Sequence, residues 1–354
     1  MHLFINKYLC IFILFVGNVV FINFLLYKLN HVKISSHAVK LDGISDYFST
    51  SCFMTSDGAD VGGRIKKRVS YIRGQCENEA VKDRLQFSQI KNTEWPWIYV
   101  SRKHRTLYCQ TPKVGSTNWL KVFSVLEGKF NDTENSAQVH NVPLLLLSYL
   151  NATEREFVLT NYTKFMVIRE PFQRILSAYR DKFLPHAGAG IPMFRNLGKK
   201  IAARYREDDA IPRDLKKYNK LAQKITPSFQ EFLQYVVDGN NYVIPTHYSE
   251  PRHWQRQIDL CYPCRINYDY VIDMKYAEEE ANFVLKSAGV PPEIRYPKNL
   301  NLPLDEMSKG DIAKRYQALP QQFYSKVNPK IVNDLYHYYK CDYDMFGFPP
   351  PPQF

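Results

Sequence analysis

Acidic residues are too few in this chain to balance the basic ones. Lysine and arginine total 47 and aspartate and glutamate total 35, which leaves a formal charge of +12 over 354 residues. A surface of this sign favours a polyanionic partner, such as nucleic acid, an anionic membrane or an acidic polysaccharide. Composition does not choose among these three, so the choice depends on the compartment.

Three further patterns are missing. The chain has no internal repeat, and no glycine precedes a Gly-Lys-Ser/Thr ending at Walker spacing, which argues against a P-loop nucleotide kinase. Cys261 and Cys264 stand at the spacing of half a zinc site, but no second cysteine or histidine pair stands at ligand spacing. We therefore expect no metal, and we expect disulfides whose pairing the sequence leaves open.

One long apolar run is present near the start of the sequence. The residues from Tyr8 to Tyr27 carry no charge, and about twenty helical residues span a bilayer core. A cleaved signal peptide is the alternative, but its apolar region is usually about 7–15 residues long and ends at small residues. The run predicts an uncleaved transmembrane anchor at 8–28, preceded by a cytoplasmic tail at 1–7.

Glycosylation signals orient this anchor better than its flanking charges, which do not settle the topology. Asn131, Asn151 and Asn161 each begin an Asn-x-Thr acceptor triplet, usable only in the secretory lumen. A lumenal body argues against nucleic acid as the partner. Within it we expect a stem at 29–94, a folded domain at 95–346 and a loose proline-rich tail at 347–354.

The chain is organised around a stretch that reads as strand, loop and helix. Thr106 to Gln110 predicts a short strand, a tight turn holds Lys113 and Gly115, and a helix follows from about Asn118. We expect Ser116, Thr117 or Asn118 to cap this helix. Backbone N–H groups and the positive end of the helix dipole then point at one spot, which is typical of a phosphate site. The alternative is an ordinary turn whose lysine faces solvent.

A second unit of the same kind follows. Lys164 to Ile168 predicts a buried parallel strand, and Pro171 suits the first position of a helix whose apolar stripe runs over 172–183. A further strand near 268–274 and helices at 277–288 and 329–340 complete the pattern, and the apolar segment from Pro143 is also expected to be helical. These units predict an α/β domain whose parallel sheet is flanked by helices. Both loops should lie at the carboxyl edge of the sheet and suit a ligand with two phosphate-like groups.

Both motifs resemble those of Golgi carbohydrate sulfotransferases. Thr111 to Trp119 is similar to their 5′-phosphosulfate loop, and Arg169 to Phe183 is similar to their 3′-phosphate motif. The segments that follow, His253-Trp254, Leu260–Cys264, Tyr268–Val271 and Glu278–Gly289, resemble the branch with chondroitin and dermatan 4-O-sulfotransferases and the glucuronyl 3-O-sulfotransferase. The resemblance covers roughly 95–346.

The resemblance implies a type II Golgi membrane enzyme with a P-loop-like sulfotransferase fold and a lumenal catalytic domain. It implies 3′-phosphoadenosine 5′-phosphosulfate as donor and an acidic glycan as acceptor. Chondroitin 4-O-sulfation is the expected reaction; terminal glucuronic acid, N-acetylgalactosamine or a polyanion-binding protein without turnover are the alternatives. The implied donor-binding residues are Pro112, Lys113, Val114, Gly115, Ser116, Thr117 and Asn118, with Arg169, Glu170, Pro171, Phe172, Gln173, Arg174, Ile175, Leu176 and Ser177.

Two residues are expected to do the chemistry. Lys113 would stabilise the leaving phosphate, and His140, in the polar loop between the motifs, would take the proton of the sugar hydroxyl. The alternative for His140 is an ordinary surface-loop histidine. Glu170 is the next candidate for the base, and its alternatives are to orient Arg169 or to cap the helix that starts at Pro171. His247 and His253 rank below His140 and either contact the acceptor or are structural. The basic stretch at 194–224 is either a solvated face or the surface that binds the acceptor. Gly115-Ser116 departs from the Ala-Cys or Gly-Cys pair of many relatives, which leaves Cys109 without an obvious neighbour.

Overall fold

The computed structural model describes residues 60–78, 97–134, 139–184, 191–206, 226–239, 250–297 and 319–352. The predicted tail and anchor at 1–28 lie outside these ranges, and no helix within them is long and apolar enough to cross a membrane. The elements are α1 Val61–Glu77, β1 Ile98–Ser101, β2 Thr106–Cys109, α2 Ser116–Leu126, α3 Ala152–Asn161, β3 Thr163–Ile168, α4 Pro171–Lys182, α5 Pro192–Tyr205, α6 Phe229–Val237, α7 Gln257–Cys261, β4 Tyr270–Asp273, α8 Ala277–Ser287 and α9 Pro329–Phe346.

The four strands form one sheet in the order β1-β2-β3-β4. β1 pairs with β2 in the antiparallel direction, whereas β2, β3 and β4 are parallel, with Tyr108 opposite Phe165 and Phe165 opposite Tyr270. The predicted α/β class and parallel sheet are confirmed. Because β2 and β3 are parallel neighbours, the loops that follow them leave the sheet at the same edge.

Each side of the sheet is covered. Tyr108 and Phe165 project to one face, where their rings lie 5.3 and 4.6 Å from that of Trp119 on α2. Cys109 is next to Tyr108 and therefore projects to the opposite face. There it forms a disulfide with Cys261 at the end of α7. These aromatic residues are almost fully buried and fix α2 against the strands that carry the two loops.

Helix α1 corrects the expectation that residues up to 94 form only a stem. Ile65, Val69 and Ile72 are buried in the main core. The guanidinium of Arg68 is also buried, and it donates to Glu280 at 2.9 Å and to the carbonyl of Val271 at 2.6 Å. A second disulfide joins Cys76 to Cys264. At least residues 61–77 therefore belong to the folded body.

A second aromatic core lies beneath the motif at 169–183. It is formed mainly by residues of α4, α5, α6 and α9 and by Trp254. Phe232 and Trp254 are fully buried with ring centroids 5.3 Å apart. Truncating a buried aromatic of this size typically costs about 3–5 kcal/mol, so this core holds α4 firmly in place.

Most predicted elements are present, but several boundaries differ. The segment from Pro143 is not a long helix. Leu146 instead forms a β-bridge with Tyr99, and a single 3-10 turn covers Leu147–Tyr149. This apolar segment is therefore buried by following the edge of the sheet. Helix α9 continues past 340 to Phe346, where Gly347 adopts a positive φ of 67° and ends it.

Candidate functional site

The loop between β2 and α2 has the backbone geometry of an anion site. Gly115 is the N-cap of α2 with a φ of 76°, and no side chain caps the helix. The expected cap at Ser116, Thr117 or Asn118 is therefore wrong, because the helix begins earlier. The first N–H with a backbone partner is that of Asn118, which donates to the carbonyl of Gly115 at 3.0 Å. The amides of Ser116 and Thr117 lie at the positive end of the helix dipole, where an anion is favoured.

The two predicted motifs meet at this loop. Arg169 follows β3, and its Nη1 donates to the carbonyl of Lys113 at 3.0 Å. Arg174 on α4 is fully buried, and its Nε donates to the carbonyl of Pro112 at 3.0 Å. Its other nitrogens donate to the carbonyls of Gln255 and Arg252, at 2.6 and 3.1 Å. Both arginines therefore hold the backbone of the first motif.

Burial divides the run from Arg169 to Ser177. Arg169, Gln173 and Ser177 are partly accessible and recur every four residues, so they share one face. The side chains of the other helical members are buried, which removes them from direct side-chain contact with a ligand: Pro171, Phe172, Arg174, Ile175 and Leu176. The partly accessible side chains of the predicted run are therefore Arg169, Gln173 and Ser177, together with Glu170.

Glu170 has a structural role. Its carboxylate accepts hydrogen bonds from the N–H groups of Phe172 and Gln173 at 3.1 and 2.7 Å, and it also accepts the Tyr343 hydroxyl. This is the helix-capping alternative, and it occupies both carboxylate oxygens. Burial raises the pKa of Glu170, which these hydrogen bonds partly oppose. A carboxylate engaged in this way is poorly placed to take a substrate proton.

Lys113 lies against a carboxylate that the sequence reading missed. Its Nζ is 2.8 Å from Oδ2 of Asp181, and Nζ of Lys182 is 2.9 Å from the same oxygen. Burial lowers the pKa of Lys113, while the charge of Asp181 acts to raise it. Burial also acts to raise the pKa of Asp181, but the two lysines outweigh it and bring that pKa to about 2. Asp181 is therefore fully ionised at neutral pH.

His140 lies at the same site as Lys113. Its Nε2 is 3.4 Å from Oγ1 of Thr117, in the first turn of α2, and its side chain is exposed. Burial of part of the ring and the charge of Lys182 lower the pKa of His140, while Asp181 acts to raise it. The imidazole is therefore largely neutral at pH 7, as a proton acceptor must be.

The other two histidine candidates have different outcomes. His247 lies outside the described residues. His253 packs edge-on against Phe194 with ring centroids 5.3 Å apart, and its Nδ1 is buried without a hydrogen-bond partner among the described residues. Burial, followed by the charges of Lys182 and Lys113, holds the pKa of His253 well below its usual value. The imidazole of His253 is therefore neutral and lines the site.

The contacts that hold the backbone of Arg169 in place were also not predicted from the sequence. The backbone of Arg169 exchanges two hydrogen bonds with the side chain of Gln257, at 2.9 and 2.8 Å. The backbone amide of Gln257 in turn donates to Asp342 at 2.8 Å. One signal was readable in the sequence: Asp181 stands four residues after Ser177, on the same helical face. The links through Gln257 and Asp342 join distant segments and have no local signature.

Each acceptor triplet begins at an accessible asparagine. Asn131, Asn151 and Asn161 are all exposed. Asn151 also caps α3 by accepting from the N–H of Glu154 at 2.9 Å. In the described ranges, no three His, Cys, Asp or Glu side chains are placed to hold a metal ion.

The fold is an α/β domain in which a loop with the backbone geometry of an anion site lies where adjacent parallel strands end. The chain belongs to the Sulfotransferase family, whose model matches residues 96–349. It is 30% identical to carbohydrate sulfotransferase 10 of Xenopus laevis over 294 residues, which cover 81% of this chain and 76% of the relative. The human protein of that name is 28% identical over 292 residues, 80% of this chain and 76% of its own.

Another relative has a different name. Carbohydrate sulfotransferase 14 of Danio rerio is 33% identical over 255 residues, which cover 72% of this chain and 62% of the relative. No solved structure matches the chain significantly. The resemblance to carbohydrate sulfotransferases is thus confirmed, and the protein is a carbohydrate O-sulfotransferase. The family implies a glycan acceptor and 3′-phosphoadenosine 5′-phosphosulfate as the sulfate donor.

Proposed function

We propose that this enzyme transfers a sulfuryl group to the 4-hydroxyl of N-acetylgalactosamine in chondroitin-type chains. The observation that carries the donor site is the hydrogen bond from Arg169 to the carbonyl of Lys113, which joins the two motifs into one site. The excess of basic residues supports an acidic acceptor. A terminal glucuronic acid or another N-acetylgalactosamine glycan would use the same donor site.

The two ends of the donor are assigned to the two motifs. Lys113 and the loop from Pro112 through Val114 and Gly115 to Asn118 would hold the phosphosulfate, with Ser116 and Thr117 contributing amides and hydroxyls. Arg169 and Ser177 would hold the 3′-phosphate, the arginine through charge-assisted hydrogen bonds. The sulfate donor supplies an activated S–O bond, which breaks as the acceptor oxygen bonds to sulfur.

This chain's own groups supply charge stabilisation and proton transfer. The ammonium of Lys113 stabilises the negative charge that develops on the leaving phosphate, which is usually the largest contribution in such displacements. A ring nitrogen of neutral His140 takes the proton of the attacking hydroxyl. Thr117, in contact with that ring, lies in the first turn of the helix that faces the phosphosulfate, so base and leaving group are positioned by one element.

We assign the acceptor to the surface that begins at α5. Phe194, near the start of this helix, contacts His253 and lies beneath the Nζ of Lys182 at 4.8 Å. From there the helix carries accessible basic side chains away from the site: Arg195, Lys199, Lys200 and Arg204. An anionic glycan bound along them would reach the donor site. The rest of the basic stretch, from 207 to 224, lies outside the described residues.

The membrane topology is also part of the proposal. A helix at 8–28 would anchor the protein in the Golgi membrane, with the short tail at 1–7 in the cytoplasm and the rest in the lumen. The exposed acceptor asparagines and the two disulfides support a lumenal body, because disulfides form in oxidising compartments. This arrangement is tested by digesting the protein with a glycosidase and measuring whether its mobility on a gel shifts.

A labelled-donor assay tests the acceptor. Detergent-solubilised full-length enzyme is incubated with labelled donor and a panel of desulfated chondroitin, dermatan and glucuronyl-terminated acceptors, and the products are analysed as disaccharides. We expect label on the 4-position of N-acetylgalactosamine. Label on glucuronic acid would overturn the acceptor assignment. No transfer to any glycan by folded, donor-binding enzyme would overturn glycan sulfation itself.

A further inference from the structure

Asp181 is the acidic side chain closest to the reacting lysine, and the donor-site assignment gives it no role. It stands on α4 four residues after Ser177, and its Oδ2 contacts both Lys113 and Lys182, at 2.8 and 2.9 Å. The two ammonium groups thus share one carboxylate oxygen. Lys113 and Lys182 are largely buried, at 17% and 13% side-chain exposure, so these contacts are screened only in part by solvent.

The surroundings of Asp181 are otherwise cationic or neutral. Lys113 comes from the loop after β2 and Lys182 from α4 itself, and both form ion pairs with Asp181. Arg169, at the end of β3, adds its charge beside Lys113. His140 and His253 come from two separate 3-10 turns, and the charge of Asp181 acts to raise the pKa of both histidines. Asp181 is therefore the counter-ion of the site, and it lies where an anionic donor would place its own charge.

We propose that Asp181 is a positioning residue that holds Lys113 as an ion pair in the empty site and yields it to the donor. The proposal rests on the proposed donor site. A buried ammonium without a counter-ion is costly, so Asp181 keeps Lys113 extended and charged before the donor arrives. When the phosphosulfate of the donor replaces Asp181 as the partner of Lys113, the carboxylate of Asp181 repels the bound anion.

This opposition has a use after the reaction. The product that remains, 3′-phosphoadenosine 5′-phosphate, is an anion, so a more positive site binds it more tightly. A carboxylate within ion-pair distance of Lys113 weakens that hold by Coulomb repulsion. Asp181 thereby limits product affinity and favours release, while the same charge preserves the lysine in its reactive position.

Binding of the desulfated product alone tests the proposal without turnover. We expect Asp181→Asn to bind 3′-phosphoadenosine 5′-phosphate on the order of tenfold more tightly than wild type at low salt, since one opposing charge is removed. The gain should shrink as ionic strength rises. Isothermal titration calorimetry on detergent-solubilised full-length enzyme gives both results. Asp181→Glu should restore the wild-type affinity.

The pH dependence adds a readout that a structural role would not move. Asp181 raises the pKa of Lys113 against the effect of burial. Without that charge the lysine loses its proton at lower pH, so product binding by Asp181→Asn should decline at lower alkaline pH than wild-type binding. Asp334→Asn removes the acid from an i,i+4 pair on α9, in which Lys330 is 80% exposed, and should change neither property.

The outcomes separate the two proposals. If wild-type enzyme does not bind the product, the donor-site assignment fails. If wild type binds but Asp181→Asn binds equally or more weakly, the counter-ion role is wrong. Should Asp181→Asn not fold, Asp181→Ser provides the same comparison, because it also removes the charge.

Discussion

The guanidinium of Arg169 donates to the backbone carbonyl of Lys113 across 3.0 Å, although the two residues are 56 positions apart in the chain. Arg169 is therefore both a charge near the proposed 3′-phosphate and a brace for the loop that carries the lysine. Its own backbone is fixed by Gln257, and Gln257 is fixed by Asp342. A chain of hydrogen bonds thus runs from α9 to the donor loop.

Arg169→Lys separates the charge from the brace. The ammonium keeps the charge but does not reproduce the planar fork that bonds phosphate and carbonyl together. We expect affinity for 3′-phosphoadenosine 5′-phosphate to fall by roughly 10–100-fold, the value of one or two charge-assisted hydrogen bonds. Calorimetry measures the change. Arg180→Lys, at an exposed position on α4, should leave binding unchanged, and equal effects of both substitutions would contradict the assignment.

Gly115→Ala should disable the donor loop. Gly115 has a φ of 76°, and an added Cβ would overlap the hydroxyl oxygen of Tyr296. Gly128→Ala is a matched control, because Gly128 has a φ of 65° but open space around it. The control should lose only about 1–2 kcal/mol of stability from backbone strain and retain product binding. Adding Tyr296→Phe to Gly115→Ala should restore part of the binding; no recovery would count against the clash.

His140→Gln should lower kcat by about 10²–10⁴-fold and leave product binding intact, as expected for loss of a general base. Burial and nearby Lys182 lower the pKa of His140, so wild-type activity should fall only below pH 6.5, where the ring gains a proton. The variant should lack this acidic limb in a pH–rate profile. His104→Gln, beyond the other edge of the sheet, is the control. An unchanged acidic limb in His140→Gln would assign the base elsewhere.

The two disulfides should differ in their effect on function. Each closes a loop of more than 150 residues, so loop-closure entropy assigns either one roughly 5 kcal/mol of stability. Cys109 ends β2 just before the donor loop, whereas Cys76 ends α1, away from it. We expect Cys109→Ser with Cys261→Ser to weaken product binding in the folded protein. The double variant Cys76→Ser with Cys264→Ser should lower the melting temperature without weakening product binding. Equal losses of product binding in the two double variants would contradict this prediction.

Asp342 should make stability depend on pH. Burial raises its pKa from 3.8 to about 6, against hydrogen bonds from the amides of Gln257 and Ile258. Its favourable contribution is therefore complete below pH 3.8 and is lost as pH rises to 6, a span of about 3 kcal/mol. We expect the stability advantage of wild type over Asp342→Asn to shrink by that amount between pH 4 and 7 in urea unfolding.

The sequence predicted those parts of the site whose signals are local. The apolar run from Lys164 to Ile168 and the proline at 171 define a strand and a helix start, and both are present. Two parallel strands in succession also predicted that Lys113 and Arg169 would meet. The predicted helix cap at Ser116, Thr117 or Asn118 was wrong. The helix is capped earlier, at Gly115, because glycine adopts a positive φ at little cost.

Other parts depend on contacts between distant segments. Asp181 was not predicted as a site residue. Its spacing from Ser177 places it on the same helical face, but no local pattern indicates that Lys113 lies 2.8 Å away. Arg174 was assigned to the donor, but the second core buries it and directs its guanidinium to backbone carbonyls. The partner of Cys109 was likewise unreadable, because Cys261 is separated from it by 152 residues.

Both disulfides end in the segment that holds Cys261 and Cys264, although their first partners lie far earlier in the chain. The order of synthesis therefore sets the order of closure. A growing chain exposes Cys76 and Cys109 as thiols until this later segment emerges, even though β1, β2 and β3 are already complete. A chain that ends before Cys261 contains the whole loop between β2 and α2 but can form neither of these crosslinks, because Cys76 and Cys109 lack their partners.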